Sequence, residues 1–244
     1  MPTQILRRAL PAILAAGALW LPGGTATADA ATPPKKPHVV VLGMVKQVPY
    51  SKAGDPAGAG PDETKLATRA LLVDGRVSEW TTGEAHDVTD RSFVVRRALR
   101  INDALPSDVK QPAGHWVWQR GPWLLVDRLT GRVSALKLPD YDPGASQVAW
   151  FRDYAAYCGV TATAKSLYAV VAQISQRKPV LAKKLAAYDV ENHPWPVCGL
   201  PEWQREPLRV TFHQADRDAV SYDVVGGSAV LVEDGDDEAE APKH

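Results

Sequence analysis

The chain has 244 residues, with 28 basic and 28 acidic side chains and two cysteines. That balance lacks the basic footprint of a nucleic-acid-binding protein, and two cysteines are too few for a disulfide-dense miniature scaffold. The length suits one ordinary domain able to bury a sizeable core without structural metals.

Arg7 and Arg8 precede an apolar run over 9–21, and Ala28-Asp29-Ala30 places small residues at −3 and −1 of a cleavage site. This pattern predicts a secretory signal peptide over 1–30. The apolar run is too short to span a bilayer as a helix, and no later stretch is long and apolar enough. A periplasmic or secreted chain of about 214 residues is expected, with no membrane span after cleavage. A Pro/Lys linker occupies 31–37, a single β-rich domain 38–232, and an acidic tail 233–244. The tail composition predicts disorder. Without leader and tail, 25 basic residues face 21 acidic ones. Cys158 and Cys198 form the one available pair, and in an exported chain a disulfide is the simplest expectation.

His38 to Val45 is β-branched and predicts a buried strand. Residues 49–61 are rich in Gly, Ala and Pro and predict a long loop. Lys65 to Val73 and Arg76 to Trp80 predict a hairpin around Asp74-Gly75. Thr81 to Asp90 reads as a polar connection, and Phe93 to Ile101 as strand or helix. A further loop over 104–114 follows. His115 to Arg120 alternates as a strand, Gly121-Pro122 reads as a turn, and Trp123 to Asp127 with Arg132 to Leu138 forms a second hairpin. Asp140 to Gly144 has turn chemistry. Gln147 to Phe151 and Tyr154 to Val160 are short strands around Arg152-Asp153. Residues 165–185 fit a helical stripe or a buried strand; the repeat described next favours a hairpin. The segment 189–203 carries three prolines and Cys198 and reads as a stapled loop. Leu208 to His213, Ala219 to Val225 and Ser228 to Glu233 complete the strands.

One stretch occurs twice. Leu71-Leu72-Val73-Asp74 runs into Gly75-Arg76-Val77-Ser78, and Leu124-Leu125-Val126-Asp127 runs, after three residues, into Gly131-Arg132-Val133-Ser134. Fainter echoes lie near Val171 and Leu231. The spacings between these runs lie near the length of one four-stranded unit. Asp-x-x-Thr-Gly before a strand, at Asp127 to Gly131, resembles the outer hairpin of β-propeller blades. The resemblance is at fold level and covers the hairpins alone. It implies an all-β, mostly antiparallel fold, a small four-bladed or incomplete propeller whose ring the strand at His38 closes against the C-terminal sheet. The alternative is a β-sandwich that repeats a hairpin.

Two groups carry the functional expectations. Trp80, Trp116, Trp118 and Trp123 form the aromatic ligand-binding candidate, since indoles give large rigid contact area for a sugar ring or protein partner. Core packing is the competing role. His86, Asp87 and Asp90, with Asp153, form the acid/base candidate; turn capping is its competitor. Asp140, Asp142 and Asp153, with Tyr154 beside the last, supply carboxylates for a glycosidase-like pair, with turn duty as the competing role. No defensible metal or phosphate motif occurs, and no cofactor is expected. The favoured function is an exported β-repeat binding or scaffolding protein with a protein or glycan partner. The alternative is a secreted, glycan-directed hydrolase using the His/Asp group.

Overall fold

The structure is a computed structural model that describes residues 36–54, 60, 62–103, 115–143, 145–161, 163, 165–187, 198–214 and 217–232. The segment expected to be a signal peptide, most of the linker, the loop at 104–114, residues 188–197 with the first part of the expected stapled loop, and the acidic tail lie outside the described residues. No helix among the described residues is long and apolar enough to cross a membrane. Among the described residues the fold is all-β and mostly antiparallel, in three sheets.

The first sheet holds β1 (Val40–Pro49), β2 (Lys65–Val73), β3 (Arg76–Asp87), β4 (Ser92–Asn102), β5 (Trp116–Asp127) and β6 (Val133–Ala135), each paired with its neighbour in sequence. β3 and β5 run longer than expected, because two apparent breaks are bulges. Thr81 to Asp87 is the second half of β3, with its irregularity between Thr81 and Ala85, where Gly83 has φ +81°. Gly121-Pro122 is not a turn. It lies inside β5 where two residues oppose Arg97 alone, between the pairs Arg96↔Trp123 and Ala98↔Arg120. A bulge tolerates a proline that cannot donate to the ladder. Gly121 is needed there, since a Cβ would sit 2.8 Å from Leu99 Cγ. Phe93 to Ile101 resolves as strand.

Bulges bend and twist a sheet, and this one curls until β1 meets β5. Tyr50 bridges Trp118, and the Ser51 N–H donates to the Trp118 carbonyl at 2.9 Å. The inside of the curl is a core of Leu71, Phe93, Val95, Leu124 and Val126, with Val40, Leu42 and Val133 packed against it. Tyr50, Leu66 and Ala98 form a second cluster with Val48, Trp80 and Trp118. The strand expected at His38 to Val45 therefore does not join the C-terminal sheet. β1 pairs with β2 from Val40↔Val73 to Pro49↔Lys65. Nor is it buried throughout: Val41, Met44 and Val45 are exposed.

The repeated hairpins meet inside this one sheet instead of starting separate blades. Leu71 of one copy and Leu124 of the other share the same core. Asp74 and Gly75 both have positive φ, as a two-residue hairpin turn requires. Asp74 also accepts the Val39 N–H at 2.9 Å and holds the His38 ring at 2.6 Å. In the second copy Asp127 accepts the N–H groups of Leu129 and Thr130 at 2.9 and 3.0 Å. The His38 N–H then donates to Leu129 O at 3.2 Å, so the two turns are tied together. Gly131 sits in this contact with φ +64°, where a Cβ would lie 2.7 Å from Val73 Cγ1 and 3.1 Å from His38 Cβ. Gly131→Ala is expected to cost about 2–3 kcal/mol from backbone strain plus overlap. Gly75→Ala, at φ +77° in open space, is expected to cost about 1 kcal/mol. Urea denaturation of both variants checks the order.

Asp127 also gives a pH prediction. The hydrogen bond from Arg91, then that from the Thr130 N–H, pull its carboxyl from 3.8 down to about 2. A carboxylate whose folded pKa is depressed stabilises the fold above its unfolded pKa, and loses that contribution as pH falls through the folded value. Wild type is therefore expected to exceed Asp127→Asn in stability near neutral pH. The gap should shrink below the ordinary value of 3.8 and close near 2, as followed by urea midpoints across an acid series.

The second sheet comprises β7 (Ala149–Phe151), β8 (Tyr154–Val160), β9 (Ser166–Gln173) and β10 (Leu181–Ala187). The third comprises β11 (Glu202–Gln204), β12 (Arg209–Phe212), β13 (Val220–Val225) and β14 (Ser228–Leu231). They share one core: Ala156, Cys158, Leu167, Ala169 and Val171 on one side, Val210, Phe212, Tyr222 and Val224 on the other. Full burial of Phe212 alone contributes about 1.5–3 kcal/mol. Cys158 and Cys198 are disulfide-bonded in this layer. The opposite face of the second sheet, with Ala155, Tyr157 and Val170, is covered by Leu138, Tyr141 and Val148. The Tyr157 hydroxyl donates to Pro139 O at 2.5 Å, and burial pushes its pKa up. Apolar cover on both faces explains why Leu167 to Ala172 shows no clean alternation; the segment is strand, as the repeat suggested. Every sheet is a meander of sequence neighbours, as a propeller blade is, but no pairing among the described strands closes the three into a ring.

Candidate functional site

A cleft of about 360 Å³ opens where the first sheet meets the second. Its lining includes Glu84, His86, Arg96, Arg120, Trp123 and Trp150. The volume falls within the range of small-ligand sites, and such sites favour junctions between packed units. The two bulges border it: one, between Thr81 and Ala85 on β3, contains Glu84, and the other lies between Arg120 and Trp123 on β5.

Arg120 is the electrostatic centre, with its side chain only 10 % exposed. Its guanidinium donates to Tyr50 Oη at 2.9 Å and to the two Glu63 oxygens at 2.9 and 3.2 Å. Its Nε lies 3.4 Å from Glu84 Oε1, and the group rides over the Tyr50 ring at 5.0 Å. Burial opposes the charge, but the Glu63 hydrogen bond and the fields of Tyr50, Glu63 and Glu84 outweigh it and raise the Arg120 pKa. Arg120 is a fixed cation that positions Glu84 at the cleft, where half of the Glu84 side chain stays exposed. Arg96 is buried and donates from Nε to Gly121 O at 3.3 Å.

The aromatic wall joins the sheets. Trp123 meets Trp150 edge-on at 5.0 Å, and His86 stacks on Trp150 at 5.8 Å. His86 Nε2 lies 2.8 Å from Arg152 O. A carbonyl only accepts, so Nε2 carries a proton and donates to it. The indole Nε1 atoms of Trp123 and Trp150 are both buried and have no hydrogen-bond partner. Unsatisfied buried donors cost about 1–3 kcal/mol each and call for explanation in a native fold.

Of the residues singled out from sequence, His86 and Trp123 line this cleft. The other three indoles lie elsewhere. Trp80 and Trp118 form an edge-on pair at 5.7 Å, and Trp116 is exposed beneath the Arg100 guanidinium at 4.5 Å. Asp87 pairs with Arg128 at 2.6 Å. Asp90 lines a separate shallow apolar concavity with Pro37, Arg91, Arg128 and Leu129. Asp153 accepts a hydrogen bond from Gln173 Nε2 at 2.8 Å. Asp140 and Asp142 shape the turn before β7: Asp140 has φ 52°, and Asp142 O accepts from Ala145 and Ser146. Tyr154 packs near Trp203. Among the described residues no group of three or more His, Cys, Asp or Glu is placed to hold a metal ion.

Glu84, Arg96, Arg120 and Trp150 escaped sequence reasoning. Only the density of polar and aromatic residues flanking Gly121 and Gly83 hinted at them, since bulges collect at functional sites. Compared with protein-family models, curated proteins and solved structures, the chain matches none.

Proposed function

We propose that the protein is an exported binding protein that holds a small ligand, or one unit of a larger one, in the cleft between its first and second sheets. The cleft itself carries this reading, since it brings the half-exposed Glu84 carboxylate, held by the buried Arg120, beside the stacked rings of His86 and Trp150. Export rests on the leader over 1–30, with support from the Cys158–Cys198 disulfide, a bond kept in oxidising compartments. Binding is preferred to hydrolysis because Asp87 and Asp153 are each engaged away from His86, with Arg128 and Gln173 respectively.

The test is a thermal-shift and calorimetric panel on the mature chain with glucose, N-acetylglucosamine, glucuronate, glucosamine, citrate and spermidine. At least one is expected to bind, and Leu200→Trp is expected to abolish that binding. Leu200 lines the cleft and is exposed, so the substitution blocks the opening without disturbing the core. Binding by none, or binding unaffected by Leu200→Trp, contradicts the proposal.

A further inference from the structure

We propose that the corner of the first sheet built from β1 and the β2–β3 hairpin docks the protein peripherally on an anionic lipid surface. Five exposed large apolar side chains gather there: Val39, Val41, Met44, Val45 and Val77, each between 48 and 85 % exposed. Strand register sets the patch. Val41 pairs with Leu72, and Leu72 with Val77, so these three side chains form one row across the sheet. Val39 stands two residues before Val41 and shares its face, whereas Val40 and Leu42 alternate with them and pack on the core. Met44 and Val45 continue the ridge along β1, the end strand of its sheet, at the irregularity between Leu42 and Val45. Contiguous exposed apolar groups of this kind mark an interaction surface.

Charge decides what the ridge meets. β1 and β2 contain no acidic residue, yet they carry Lys46, Lys65 and Arg69. Lys36 and Arg76, both exposed, precede Val39 and Val77. The two acids of the β2–β3 hairpin up to Trp80 are already engaged: Asp74 holds the His38 ring at 2.6 Å, and Arg97 donates to Glu79 at 3.0 Å. Apolar side chains among bases are the composition of a peripheral lipid-binding surface, in which the apolar groups enter the headgroup layer and Lys and Arg meet phosphates. The ridge residues line neither the cleft nor the concavity at Pro37. A bilayer needs no matching pocket, and the unbranched Met44 side chain, 85 % exposed, adapts readily to a fluid layer. This surface is independent of the cleft, and its test needs no cleft ligand.

The test is flotation of the chain from Ala31 onward, so that the leader itself cannot insert, with two kinds of vesicle. One is phosphatidylcholine alone, the other equal parts phosphatidylcholine and phosphatidylglycerol. Binding to the anionic vesicles is expected, weakening as salt is raised, with little binding to the neutral ones. Met44→Glu and Lys36→Glu/Arg76→Glu are each expected to lower the vesicle partition coefficient about tenfold. Because these side chains are exposed, the circular dichroism spectrum and urea midpoint should stay unchanged. No preference for the anionic vesicles, or binding that both variants leave unchanged, overturns the proposal. A dimer in lipid-free solution that Met44→Glu dissolves, without vesicle binding, assigns the ridge to a second copy of the chain and overturns it too. Each of these outcomes leaves ligand binding in the cleft standing.

Discussion

Arg120→Met is expected to destabilise the fold by about 3–5 kcal/mol, the range for breaking a buried ion pair on one side. Methionine keeps most of the apolar stem that packs on Tyr50 but removes five donors. Glu63 and the Tyr50 hydroxyl then lose the guanidinium inside the curled sheet, where the Arg120 side chain is 10 % and that of Glu63 26 % exposed, and Glu63 keeps the Gly60 N–H at 3.3 Å. Most of the expected loss is therefore the cost of a stranded carboxylate, not of a missing attraction. Adding Glu63→Gln to Arg120→Met should recover part of it, because a neutral amide is cheaper to strand. The variant should also lose ligand binding, since Glu84 is no longer steered to the cleft. Urea unfolding of the single and double variants measures the coupling. A loss below about 1 kcal/mol would mean that water screens the network as it does surface ion pairs.

The double variant Cys158→Ala/Cys198→Ala is expected to lose about 2–5 kcal/mol. The bond joins residues 40 apart in sequence, and both cysteines are buried in the core shared by the second and third sheets. Cross-linking restricts the unfolded chain, and the loop closed here is long enough for the restriction to matter. In the folded state it pins the segment before β11 to β8. Reduced wild type should unfold at the same urea concentration as the double variant, and non-reduced wild type at a higher one. Coincidence of all three midpoints would show that the bond adds nothing to the fold.

The local β content was legible because the hairpin chemistry is explicit: Asp74-Gly75 and Asp127 to Gly131 announce their turns, and β2, β12 and β13 follow alternation or dense β-branched runs. Connectivity between distant hairpins was not. The twin copies suggested two blades, yet Leu71 and Leu124 face one another in a single core. A repeated hairpin says how each copy turns, not whether the copies pack together. Bulges misled for a related reason. Gly121-Pro122 and the polar run after Thr81 resemble turns, and only their partner strand shows that the ladder continues past them. The site followed the same division. His86 and Trp123 stood out by residue type. Arg120 became informative only once Tyr50, Glu63 and Glu84, far apart in sequence, surrounded it.

The most direct measurement is a ¹H–¹⁵N correlation spectrum of the mature protein, with the indole resonances assigned through single Trp→Phe variants, during titration with glucose and then N-acetylglucosamine. Binding in the cleft predicts that the Trp123 and Trp150 indole N–H signals shift together as the cleft they line fills, while Trp116, exposed and outside that lining, stays in place. Saturable binding that moves Trp116 and leaves Trp123 and Trp150 unmoved would contradict it.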